Sequence, residues 1–169
     1  DADVAVTDPP YGIKYKTGAI RSANGLARSI KGDEDTTERD EFLAAFGDAP
    51  ALVFGSWKKA KPARTHTLLI WDTKGALGMG DLSVPWKPAH QEIYVLGHGF
   101  EGPRDTDVLS YAPVQAMASN GRVHPHQKPV DVMTALLLKC PADWLMADPF
   151  AGSATTLVAA KNLRRRAIG

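Results

Sequence analysis

Asp8-Pro9-Pro10-Tyr11-Gly12 directly follows an apolar, β-branched run, Asp3-Val4-Ala5-Val6-Thr7. A carboxylate, two residues of fixed φ and an aromatic ring at the end of a buried strand make a rigid polar site. Such a site suits a flat, polar substrate, because ligands of open α/β sheets bind where the carboxyl ends of the strands meet a crevice. Asp-Pro alone would be an ordinary turn former. The full run after a buried strand is more than a turn requires. A second run, Asp148-Pro149-Phe150-Ala151-Gly152-Ser153, joins a strand-like segment to a helix-like one. Small residues there let a ligand approach the backbone, and the helix N-terminus favours negative charge. The run lacks the Lys-Ser/Thr of a phosphate loop and the three spaced glycines of a dinucleotide fingerprint. It therefore reads as a seat for the carboxylate end of some other small molecule, with a βα turn packed by small residues as the plain alternative.

The third run, His124-Pro125-His126-Gln127-Lys128-Pro129, precedes a helix. Two histidines at this spacing suggest a metal, but no third ligand cluster and no cysteine stand near, so no metal site is expected. The alternative is a proline-punctuated loop with a cation at its end. Two basic clusters, Lys58, Lys59, Lys61 and Arg64, and then Arg164-Arg165-Arg166, can contact phosphates or simply lie on a solvated surface.

These runs need elements to position them. Proline removes a ladder donor, so the strand at residues 3–7 must end at Asp8-Pro9. Residues 13–35 carry Gly18, Gly25 and Gly32 with few large apolar groups and read as a loop. Thr36 or Thr37 caps a helix through about Phe46, with Phe42, Leu43 and Phe46 at helical spacing and Gly47 as its stop. Ala51-Leu52-Val53-Phe54, Thr67-Leu68-Leu69-Ile70-Trp71 and Glu92-Ile93-Tyr94-Val95-Leu96 read as strands, the last two separated by a Gly- and Pro-rich loop at 72–90. An irregular stretch runs from His98 to about Gln127. Pro129 then opens a helix whose apolar face is Val130, Met133, Leu136 and Leu137. Trp144-Leu145-Met146-Ala147 is a strand, a helix covers about Ala154 to Asn162, and Arg166-Ala167-Ile168 begins a further strand. Strands alternating with helices predict an α/β domain with a mostly parallel sheet.

The bulk numbers bound the class. A chain of 169 residues, 44% hydrophobic and 23% charged, is one domain with a real core, neither disordered nor membrane-spanning. Its net charge of +1, from 20 basic and 19 acidic residues, does not by itself reveal a nucleic-acid partner. The one cysteine, Cys140, excludes an internal disulfide, and with no signal peptide a reducing, cytoplasmic location is expected. The chain opens on Asp1 and stops where an apolar run begins, so it reads as a domain cut at both ends.

Together the three runs resemble the amino-methyltransferases that modify exocyclic nitrogens in DNA. Asp8-Pro9-Pro10-Tyr11 looks like their catalytic motif, Asp148-Pro149-Phe150-Ala151-Gly152 like their cofactor motif, and His124 to Pro129 like the motif that precedes it. The similarity extends through Leu69-Ile70-Trp71-Asp72 and His90-Gln91-Glu92-Ile93, and the order, catalytic first and cofactor last, resembles the beta arrangement of the family. The resemblance implies a Rossmann-like α/β methyltransferase sheet, mostly parallel with one antiparallel strand and with circularly permuted motifs. It implies S-adenosyl-L-methionine as cofactor and double-stranded DNA as substrate, without a membrane or metal; a homodimer is the oligomer to test for. Asp8, Pro9, Pro10 and Tyr11 would be catalytic, and Asp148, Phe150, Ala151, Gly152, Ser153, His124 and Lys128 would bind cofactor, with His124 and Lys128 shaping the pocket rather than reacting. Lys58, Lys59, Lys61 and Arg64 would contact DNA, and loops 13–35, 73–90 and 98–122 would read its sequence. The family usually has glycine where Ala154 stands; alanine adds only a methyl, so cofactor binding is expected to survive, weakened at most. An acidic residue for the cofactor ribose would follow Gly169, and a segment near its adenine ring would precede Asp1, so these 169 residues alone are expected to bind cofactor poorly.

Adenine N6 is the preferred target, because an Asp-first motif resembles the adenine enzymes, whereas cytosine N4 enzymes frequently carry Ser first. The rivals are a cytosine N4 enzyme, an inactive DNA- or nucleotide-binding relative, and a methyltransferase acting on RNA or a small molecule.

Overall fold

The computed structural model describes residues 1–14, 32–75, 80–114 and 127–169. His124 and parts of all three proposed reading loops lie outside them. In chain order the elements are β1 (Val4–Thr7), α1 (Thr37–Phe46), β2 (Ala51–Gly55), β3 (Thr65–Asp72), β4 (His90–Leu96), β5 (Val108–Ser110), α2 (Val130–Leu137), β6 (Met146–Ala147), α3 (Thr155–Asn162) and β7 (Ala167–Ile168).

The seven strands form one sheet in the order β5-β3-β4-β2-β1-β6-β7. β1 pairs in parallel with β2 and β6, β6 with β7, and β3 with β5. β4 alone runs the other way, antiparallel to both β2 and β3. The sheet is therefore mostly parallel with one antiparallel strand, as the resemblance implied. β1 sits among parallel neighbours and is buried along its whole length. That is why it reads as a continuous apolar run rather than an alternating one.

Period-two geometry sends its neighbouring side chains to opposite faces. Val4 and Val6 join Leu52, Phe54, Trp71, Ile93 and Met146 on one face, closed by Met133, Leu136 and Leu137 of α2 and by Ala159 and Ala160 of α3. Ala5 joins Ala51, Val53, Tyr94 and Leu96 on the other face, closed by Leu43 of α1 with Phe42 and Phe46 beside it. Helices thus cover both faces and leave the carboxyl edge of the parallel strands for ligands.

Several local expectations needed revision. β5 lies inside the stretch read as irregular from His98 to Gln127. It is a three-residue edge strand with two exposed residues, too short and too open to leave a hydrophobic pattern. Trp144 and Leu145 precede β6 rather than belonging to it, and the Trp144 ring meets Phe100 edge-on at 6.0 Å. On α2 the fully buried valine is Val132, while Val130 is half-buried. Arg165 is not a phosphate ligand in waiting: its guanidinium donates to the carbonyls of Leu137 and Cys140, the latter at 2.7 Å, and so closes the end of α2. Arg164 to Arg166 also precede β7, at the sheet edge opposite Asp8.

Candidate active site

Because β1 and β6 are adjacent and parallel, with Ala5 beside Ala147, the chain leaves both strands at the same edge. The Thr7 hydroxyl donates to Asp148 Oδ1 at 2.7 Å, and both residues are buried. This one bond joins the first run to the second across 141 positions of sequence. Asp148 is a costly carboxylate to keep charged. Burial pushes its pKa up and the nearby Asp8 charge adds to that, outweighing the hydrogen bonds from Thr156, Thr7 and the Phe150 amide. A carboxyl whose folded pKa is raised loses folding stability as pH rises through that value. Asp148→Asn is therefore expected to melt above the wild type at pH 8, with the gap closing toward pH 4. Thermal melts across that range check the sign.

Asp8 is held from two sides. The Tyr11 hydroxyl donates to Asp8 Oδ1 at 2.7 Å, and Lys128 Nζ sits 2.7 Å from Asp8 Oδ2. Lys128 also donates to the Tyr11 oxygen at 3.0 Å, and Gln91 Oε1 of β4 lies 3.2 Å from the same hydroxyl. The Lys128 side chain is 8% exposed and that of Asp8 25%, so the carboxylate is the member that opens outward. Burial, the Asp8 charge and the bond to Asp8 push the Tyr11 hydroxyl well above its ordinary pKa, so it stays a donor. Lys128, expected beside the cofactor, makes its observed contacts with the Asp8 motif, and its ammonium lies 4.9 Å over the Phe54 ring.

The chain beyond Tyr11 is clamped. Asp33 Oδ1 accepts from the amides of Gly12 at 2.7 Å and Ile13 at 3.2 Å, while the Lys14 amide donates to the Asp33 carbonyl at 2.8 Å. The buried Asp33 was not singled out in the sequence, where a lone polar residue carries no motif, and Gln91 was quoted only within His90-Gln91-Glu92-Ile93, with no role at the site.

In the second run Phe150 packs edge-on against Phe42 of α1 at 6.0 Å. Ser153 and Thr155 share a hydroxyl–hydroxyl bond at 2.9 Å at the start of α3. Gly152 is exposed, and a Cβ placed on it would meet nothing nearer than the Phe150 carbonyl at 3.7 Å. The turn is thus open to an incoming group at Gly152. Ala154, where the resemblance led one to expect glycine, has a φ of 57° and a ψ of 28°, the left-handed conformation that glycine adopts most easily. Alanine there costs roughly 1 kcal/mol relative to glycine's free access. Ala154→Gly is expected to raise the Tm by about 2 °C, measurable by calorimetry.

The basic cluster contiguous in sequence is divided in space. Arg64 pairs with Asp48 at 3.6 Å and donates to the Gly47 carbonyl, beside the start of β2. Lys58 and Lys59 lie near the end of β2. After the bonds from Ser83, the Lys58 charge helps hold the Asp81 carboxyl low; after those from Thr37, Lys59 does the same for Asp35. Trp57, 67% exposed with Lys58 Nζ 5.8 Å from its ring centre, stands beside them and was missed. Lys61 is exposed on the same connection. Among the described residues no group of three or more His, Cys, Asp and Glu is placed to hold a metal. Nor is any helix there long and apolar enough to cross a membrane.

The sequence model of the DNA methylase family of N6 and N4 enzymes matches residues 54–169, well over half the chain. The chain belongs to the DNA methylase family. The match takes in Lys128 and the Asp148 turn and starts after the Asp8 motif. Solved methylase structures share the fold of this one. M1.HpyAVI in complex with SAM superposes with a TM-score of 0.65 at 18% identity, over 99% of this chain and 81% of that one. The PvuII DNA methyltransferase, described as cytosine-N4-specific, gives 0.63 at 15% identity, over 99% of this chain and 73% of that one. A putative DNA modification methylase of Thermus thermophilus gives 0.52 at 15% identity, over 99% and 79%. No curated protein sequence matches this methylase.

Proposed function

We propose that this methylase transfers a methyl group from S-adenosyl-L-methionine to the exocyclic N6 of adenine in duplex DNA. The observation that carries the reading is the Thr7–Asp148 bond, which sets the rigid Asp8-Pro9-Pro10 acceptor beside the open 148–153 turn. Phe150, Ala151, Gly152 and Ser153, with Asp148 beneath them, would hold the cofactor's methionine end, and His124 is assigned to the same pocket from the family motif. When bound, the cofactor supplies an electrophilic sulfonium methyl.

An aromatic amino group is a poor nucleophile because its lone pair is delocalised into the ring. Asp8 and the Pro9 carbonyl would accept hydrogen bonds from its two N–H groups and draw the nitrogen toward tetrahedral geometry. Pro9 and Pro10 fix the backbone that carries both acceptors, so the rate gain is chiefly positional and electrostatic. The carboxylate then takes the proton released by the methylated amine. The base must leave the duplex to reach this edge, and the half-buried Tyr11 offers it a stacking face. Lys58, Lys59 and Lys61, with the exposed Trp57, would meet the DNA backbone beside that opening. Arg64, paired with Asp48 beside the start of β2, would lie away from that opening.

The Asp-first motif favours adenine. Mass spectrometry of nucleosides from DNA treated with the full-length protein decides the target: N6-methyladenine is the expected product, and N4-methylcytosine alone sinks the adenine assignment. Calorimetry with S-adenosyl-L-methionine separates an active enzyme from an inactive relative, which would bind none.

A further inference from the structure

We infer that Lys128 reads the ring nitrogen next to the reacting amine, and so selects bases by their edge. The inference rests on the methyltransferase reading above and deepens it. Asp8 Oδ2 and Lys128 Nζ form a neighbouring acceptor and donor, 2.7 Å apart, at the end of β1. Adenine and cytosine each present the complementary couple, an amino donor and an unprotonated ring nitrogen bonded to the same carbon. Guanine and thymine present a carbonyl next to a ring N–H at the corresponding edge, so they would meet Asp8 with an acceptor and Lys128 with a donor. Both contacts then become repulsive.

The ammonium is built for this. Of its three N–H groups one serves Asp8 and one the Tyr11 oxygen, and the third has no partner among the described residues. It cannot swing away to solvent: the residue is 7% exposed, with the Phe54 ring at 4.9 Å and the Tyr11 ring at 5.4 Å from the nitrogen. Asp8 keeps lone pairs for the substrate after accepting from Tyr11 and Lys128, since a carboxylate offers about four acceptor sites. Lys128 therefore orients the base plane while Asp8 and Pro9 act on the amine.

The test uses the full-length protein and its own target site, found by sequencing treated DNA. That site is built into a synthetic duplex whose target base is either natural or carries C–H in place of the ring nitrogen, as 1-deazaadenine or 3-deazacytosine. The wild type is expected to lose roughly 10- to 100-fold in kcat/KM on the analogue, the worth of one charged hydrogen bond. Lys128→Met should show little further loss on it, and Lys128→Arg should restore the discrimination. The analogue's altered pairing and amine reactivity fall on all three proteins alike, so the ratio isolates the contact. Equal discrimination by wild type and Lys128→Met overturns the inference. Should Lys128→Met fail to fold, the wild type decides alone: equal rates on the two duplexes overturn it. No transfer to the natural duplex overturns the methyltransferase reading and this inference together.

Discussion

Asp8→Ala is expected to lower methyl transfer by about 10²- to 10³-fold or more and to leave S-adenosyl-L-methionine binding in place, because the role proposed for the side chain is on the substrate amine and not on the 148–153 turn. The expected loss is in kcat. The variant also strands Lys128, whose buried ammonium then keeps only the Tyr11 oxygen. Removing one member of a buried pair costs up to about 3–5 kcal/mol; with a quarter of the Asp8 side chain facing solvent, roughly 2 kcal/mol is the better expectation. Two effects are thus superimposed, and a second substitution separates them. The Asp8→Ala/Lys128→Met pair should recover most of the lost melting temperature and none of the activity. Single-turnover assays and thermal melts on the four proteins of that cycle give both readouts. Full activity in Asp8→Ala would remove the carboxylate from the mechanism.

Among the described glycines, Gly12→Ala is expected to be among the most damaging substitutions. Gly12 has a φ of +71°, and a Cβ built on it would lie 2.4 Å from the Asp35 carbonyl carbon and 2.7 Å from its Cα. Those are backbone atoms and cannot rotate out of the way. Left-handed strain of about 1 kcal/mol and overpacking of about 2 kcal/mol add to roughly 3 kcal/mol, or a fall in Tm of about 10 °C. The clash also pulls Gly12 from Asp33 and drags Tyr11 with it, so activity should fall even below the melting range. Gly152→Ala is the control, because its φ of +52° carries the strain but its nearest atom is 3.7 Å away. It should lose only about 1 kcal/mol of stability. Equal melting temperatures for the two variants would show that the Asp35 backbone does not hem in Gly12 as closely as described.

The sequence by itself determined the parts whose rules are local. Two consecutive prolines stop β1 at Asp8 because they fix φ and remove donors, and the stop falls where it was expected. The Thr37–Phe46 helix was legible from apolar spacing and from Gly47, whose φ of +73° few other residues adopt. Three motifs in one order carried the family. The sheet's single antiparallel strand followed from that family and not from periodicity, which is blind to strand direction.

Only the tertiary structure decided which of these parts meet. Thr7 and Asp148 are 141 positions apart, and Lys128 and Tyr11 are 117 apart. The first contact exists because the strand order puts β6 next to β1, the second because α2, which follows Lys128, packs on the face of the sheet that carries Val4 and Val6; no local preference encodes a neighbour at that distance. The same long-range geometry took Arg165 for the end of α2 and divided Lys58 from Arg64, although each pair of neighbours in sequence looked alike. It also set the Lys128 ammonium against the carboxylate of Asp8, a contact its motif did not point to. A sequence shows which groups can do chemistry; the packing of strands across the sheet decides which of them face one another.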